Sequence, residues 1–168
     1  MSKSRELRCF DYVNQPYARV RDALVTHALE VFRSATRSAA SRAHSVASQL
    51  RVDIGGIEVG ADIDIVLRGI DEPPPGDPAA PQIVLQLEWE AAKRPRLFPF
   101  MQAELAVYPL TPTETQLDFW GHYEPPLGIV GTAMDSIVGH RLAEASVHQF
   151  VTDVASYLRA TLPPASAP

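Results

Sequence analysis

The sequence predicts a single α+β domain in which a curved antiparallel sheet wraps around a long C-terminal helix, with two helices placed after the first strand. Three observations lead there. Segments between residues 57 and 123 alternate apolar and polar side chains with the period of two that suits half-buried strands. The stretches before and after them, to residue 50 and from 131 to 160, repeat apolar residues every three or four positions, the spacing of one helix face. The strands also follow one another across short polar turns, which makes sequence neighbours antiparallel partners.

Residues 7–13 are rich in β-favouring side chains and form the expected first strand. Asn14 is a suitable N-cap ahead of Pro16, which fits a first helical turn. Tyr17, Val20, Leu24, Ala28 and Val31 then make one apolar stripe. Ala39, Ala43, Val46, Ala47 and Leu50 make a second, whose small residues suit close packing on a sheet, and Ser34 to Ser41 is the expected junction between two helices. From Ile57 the pattern changes to alternation. Ile57, Val59, Ala61, Ile63, Ile65 and Leu67 share one face of a long strand, or of a hairpin turning at Gly55-Gly56 or Gly60.

The Pro-rich run 72–81 sustains neither helix nor sheet and is expected as an exposed loop inside the domain. Strands are expected again over 83–92, about 98–109 and 114–123, with a turn at Pro109 to Thr113. Beyond Pro125-Pro126-Leu127-Gly128 the helical stripe Val138, Leu142, Ala145, Val147, Phe150, Val151, Val154 and Leu158 runs on until Pro163-Pro164 stops it. The domain is thus expected over 1–162, and residues 163–168 as a disordered tail.

This order of elements resembles the START-like, or SRPBCC, helix-grip superfamily. The most telling part is the passage from Gly121-His122-Tyr123-Glu124-Pro125-Pro126-Leu127-Gly128 through Met134-Asp135 to His140-Arg141-Leu142-Ala143-Glu144-Ala145-Ser146, which is similar to the strand-to-helix junction of small bacterial members. The resemblance covers almost the whole chain. It implies a pocket for a hydrophobic or amphipathic small molecule and fixes neither ligand nor activity, because the fold hosts carriers, enzymes and regulators alike; the expected function is binding of a lipid-, quinone- or polyketide-like compound in an internal cavity between sheet and helix.

Composition narrows the classes. With 168 residues, 46% of them hydrophobic, the chain can bury a sizeable core. A net charge of −5 argues against a nucleic-acid partner, and Lys93-Arg94-Pro95-Arg96 is too short a basic run to make one. No apolar run approaches the roughly 20 residues that span a bilayer, so no membrane insertion is expected. A single cysteine, Cys9, and an N-terminus without an apolar leader point to the cytoplasm.

Alternation names the inward face. If Asp62, Asp64, Glu88 and Glu90 point to water, the expected ligand-binding residues are Ile63, Ile65, Leu87, Trp89, Met101, Leu105, Leu117, Phe119 and Tyr123 from the sheet, faced by Met134, Val138 and Leu142 from the last helix. No catalytic residue, metal ligand or cofactor is assigned: there is no HExxH, P-loop, dinucleotide fingerprint or GxSxG. Two alternatives stand beside the binding reading. A cyclase- or dehydratase-type enzyme would need polar groups in the pocket, for which Tyr123, His122 and Arg141 are the candidates, although alternation turns His122 outward. A protein-interaction module would use Trp120, on the polar phase, as an exposed anchor.

Overall fold

A computed structural model describes residues 4–54, 63–74, 81–91, 100–123 and 133–163. The elements, in order, are β1 (Arg5–Val13), α1 (Tyr17–Ile54), β2 (Ile63–Asp71), β3 (Ile83–Ala91), β4 (Met101–Thr111), β5 (Glu114–Tyr123) and α2 (Ala133–Thr161). The five strands form one open antiparallel sheet in the order β1-β5-β4-β3-β2. Sequence neighbours pair from β2 to β5, and β1 closes onto β5. Helix α1 therefore carries the chain from one sheet edge to the other. Side chains alternate as the hydrophobic pattern requires: Leu7, Cys9 and Val13 of β1 are buried, while Glu6, Arg8, Phe10 and Tyr12 are exposed.

The start and the course of α1 differ from expectation. Asn14 is not the cap. The Pro16 carbonyl accepts the first helical bonds, from the amides of Arg19 and Val20, and Asn14 is exposed ahead of it. The break between helical segments falls at His27, whose φ of −123° and ψ of 25° leave the helical range, and not over Ser34–Ser41. The helix continues through that stretch for two reasons. Ala35, Ala39 and Ala43 repeat at four and are fully buried. The Ser34 hydroxyl, instead of competing for its own backbone, donates to Asp153 of α2 at 3.1 Å. Helix α1 makes its main contacts with α2, rather than with the sheet as its small residues suggested.

Helix α2 docks on β1 and α1 and reaches the middle of the sheet through Phe150. That ring stacks on Phe32 of α1 at 5.6 Å and meets Trp89 and Phe119 edge-on at 5.4 and 6.3 Å. The helix C-terminus is pinned to β1 and α1. Arg159 donates to Asp11 at 2.8 Å and to the Tyr12 carbonyl, and the Pro163 carbonyl accepts from Gln15 and Arg19. The Thr115 hydroxyl of β5 ties in the same corner by donating to the Gln15 carbonyl at 2.8 Å.

On the outer face Glu88 pairs with Arg68 and Asp118 with Arg8, Asp64 is exposed, and no acidic or His/Cys cluster able to hold a metal occurs among the described residues. Among the described residues no helix is long and apolar enough to cross a membrane. The expectations for Ile57, Val59, Ala61, Asp62, the hairpin at Gly55 or Gly60, and Lys93–Arg96 lie outside the described residues, as does the side chain of Glu90.

Candidate functional site

Register places the inward side chains in rows across the sheet. One row runs Ile65, Trp89, Met101, Tyr123, Arg5; the next runs Leu67, Leu87, Ala103, Gly121, Leu7; a third includes Leu85, Leu105, Phe119 and Cys9; a fourth has Ile83, Val107 and Leu117. Of the expected ligand-binding residues, Leu87, Trp89, Met101, Leu105, Leu117, Phe119, Tyr123 and Leu142 are all buried in one continuous core. The edge strand β2 behaves differently. Ile63 is buried, but Ile65 and Leu67, which share its inward phase, remain half-exposed because α1 stands across β2 without sealing it. Met134 and Val138 belong to α2, and their side chains lie outside the described residues.

The gap between α1 and β2 is a groove of about 420 Å³. Its sheet side is Ile63, Asp64, Ile65 and Leu67, and its helix side is Leu29, Phe32, Arg33, Thr36, Arg37 and Ala40. Leu29, a large apolar side chain on its lining, is 76% exposed. Phe32 closes the inner end, with its ring stacked on Phe150 and hence joined to the Trp89–Phe119 cluster. The groove-lining helix residues were not singled out from sequence. Their signal is a second set at helical spacing beside the main stripe of α1 (Leu29, Phe32, Thr36, Ala40), carrying Arg33 and Arg37 on its flank.

The strand order, with α1 crossing from edge to edge and α2 laid on the inner face, decides the architecture. The fold is an α+β helix-grip. No protein-family model and no curated protein matches the sequence. Solved structures similar to the chain include the Zhui aromatase/cyclase from Streptomyces sp. R1128, at 11% identity and a TM-score of 0.48 over 99% of this chain and 100% of that one. Norcoclaurine synthase from Thalictrum flavum is similar at 8% identity and 0.47, over 96% and 90% of the two chains. The human StarD13 lipid transfer and protein localization domain is similar at 8% and 0.44, over 91% and 76%.

Within this helix-grip, two histidines of α2 contact polar groups on the sheet. Tyr123 places its hydroxyl 2.7 Å from Nδ1 of His140, with the rings stacked at 6.1 Å. Burial raises the Tyr123 pKa, against the opposing influence of Arg5, so the phenol keeps its proton beside the imidazole. The Trp89 indole N–H, fully buried, is the one unsatisfied side-chain donor among the described buried residues, a state that costs about 1–3 kcal/mol. The candidates for pocket chemistry are dispersed: His122 lies on the outer face beside Glu6 and Trp120, and Arg141 is exposed in a cleft of about 440 Å³ between α1 and α2. Trp120 is 45% exposed on that outer face.

Cys9, assigned no partner from sequence, has its sulfur 3.2 Å from Nδ1 of His148. Burial pushes the thiol up to about 11 from its ordinary 9.0, with Asp11 and Asp118 adding to the shift. A thiol so raised stays protonated and is a poor nucleophile at neutral pH. Since the folded state holds the proton more tightly than the unfolded chain, the contribution is complete below pH 9 and lost as pH rises through about 11. At about 1.4 kcal/mol per unit, up to about 2.7 kcal/mol is at stake. Denaturant midpoints of wild type and Cys9→Ala across pH 8 to about 11 check it: the wild type should fall more steeply. Parallel curves would remove the thiol from the account.

Proposed function

We propose that the chain binds a hydrophobic or amphipathic small molecule in the groove between α1 and β2. The observation that carries this is the half-exposed pair Ile65 and Leu67. They occupy inward positions of the sheet, yet α1 leaves about 420 Å³ above them, a volume in the range of small-molecule sites. Leu29 and, at the inner end, Phe32 extend the apolar lining onto the helix, and apolar surface held open in this way gains free energy when a ligand covers it. An enzymatic reading has less support. Tyr123, His122 and Arg141 lie inside the sheet, outside it and on the helix pair, respectively, and do not converge on one reacting atom.

The experiment is to fill the groove. Thr36→Trp places a large ring where a half-buried small side chain lines the groove wall. Binding of the neutral apolar dye N-phenylnaphthylamine is expected to weaken at least ten-fold, with the thermal midpoint within about 3 °C of wild type. A variant that binds the dye as tightly as wild type, or a wild type that does not bind it, overturns the reading.

A further inference from the structure

We propose that the ligand of this groove carries an anionic head, a carboxylate or phosphate, held by Arg33 and Arg37 while its apolar chain lies on Phe32, Ile63, Ile65 and Leu67. This rests on the groove being the ligand site. Arg33 and Arg37 stand four residues apart on α1, so they are neighbours on one helix face, and both line the same groove as the apolar floor. Both are exposed, and among the described residues neither takes part in an ion pair or side-chain hydrogen bond. Other arginines of the chain are engaged: Arg8 with Asp118, Arg21 with Asp22 and Glu72, Arg68 with Glu88, and Arg159 with Asp11.

The acids nearby do not cancel the pair. Glu30, one turn before Arg33, acts on the Tyr157 hydroxyl of α2. Among the described residues of the groove Asp64 is the one carboxylate, which leaves one net positive charge on that described lining. Two like charges at this spacing repel by a few tenths of a kcal/mol in the empty helix, and an oxyanion between them removes that repulsion. Guanidinium groups match the planar oxygens of carboxylate and phosphate with paired N–H donors, and their stems can lie along the apolar wall below. Apolar floor and cationic rim therefore select a single-chain amphiphile of negative charge over a neutral or cationic one.

The test compares four probes on the full chain below their micelle concentrations: dodecanoate, dodecyl phosphate, dodecanol and dodecyltrimethylammonium, by calorimetric titration or dye displacement. The two anions are expected to bind at least ten-fold more tightly than the alcohol and the cation weakest. The Arg33→Gln/Arg37→Gln double variant is expected to bring both anions to within two- or three-fold of the alcohol, with the alcohol's affinity falling far less than that of the anions and the thermal midpoint within about 3 °C of wild type. Preference between the two anions separates a carboxylate from a phosphate head. Equal binding of alcohol and anions to wild type, or an anion preference that survives the double variant, overturns the proposal while leaving the groove as a ligand site. Failure of all four probes to bind wild type overturns the groove reading itself, and this proposal with it.

Discussion

Phe150→Ala is expected to destabilise the fold by about 3–5 kcal/mol, in the range of buried aromatic truncations that leave a cavity. The position is fully buried, and its ring joins α2 to α1 and to the sheet: it meets Phe32 on α1, Trp89 on β3 and Phe119 on β5. Each aromatic pair adds about 0.5–1.5 kcal/mol beyond the area it buries, so deletion removes three such terms together with the apolar contact. Set against a total of about 5–15 kcal/mol for a typical domain, that is about a fifth of the stability or more, and a melting-point drop on the order of 10 °C. Phe150→Leu retains most of the volume and should lose much less. Urea unfolding of the three proteins measures both numbers. An alanine variant within 1 kcal/mol of wild type would show that α2 is held elsewhere. The same substitution also bears on the groove, since Phe32 closes its inner end against Phe150. A destabilised but folded Phe150→Ala protein should bind a longer apolar chain than wild type.

How much of this could be read from the chain varies with the range of the interactions involved. Strands β3, β4 and β5 were legible because each has one wet and one buried face, so the phase of Glu88, Gln102 and Asp118 determines that of Trp89, Ala103 and Phe119. Even the opposed faces of His122 and Tyr123 follow from alternation alone. The break in α1 was not legible. Ser34 looks like a local competitor for the backbone, and its hydroxyl instead finds Asp153, 119 positions further on. His27 carries no helix-breaking chemistry that would mark the kink. The Cys9–His148 pair spans 139 positions and the Tyr123–His140 pair joins a strand to a helix, so neither has a spacing signature. The groove was half legible. Alternation made Ile63 and Ile65 inward-facing, but that α1 would stand off from β2, leaving Leu67 and Leu29 uncovered, depends on how one helix docks against another.

Gly121→Ala is expected to destabilise by about 1–3 kcal/mol, against the usual gain of 0.5–1 kcal/mol when a glycine inside a strand becomes alanine. The glycine is needed for space. It sits in β5, paired with Leu7 on one side and Ala103 on the other. A Cβ added there would lie 2.8 Å from the Met101 sulfur and 3.0 Å from the Phe119 ring. The methionine could swing aside in open surroundings, but here it is fully buried, and so is Phe119, whose ring is wedged between Trp89 and Phe150. The added methyl therefore displaces a core side chain rather than a solvated one. Residues 121 and 101 should therefore be coupled. Met101→Ala alone opens a cavity and should cost about 2–5 kcal/mol. In combination, the methyl at 121 enters space that the methionine has vacated, so the double variant should be at least 1 kcal/mol more stable than the sum of the single losses predicts. A double-mutant cycle by denaturant titration reads that coupling directly. Additive losses would mean that residue 121 is glycine for some reason other than the sulfur and ring above it.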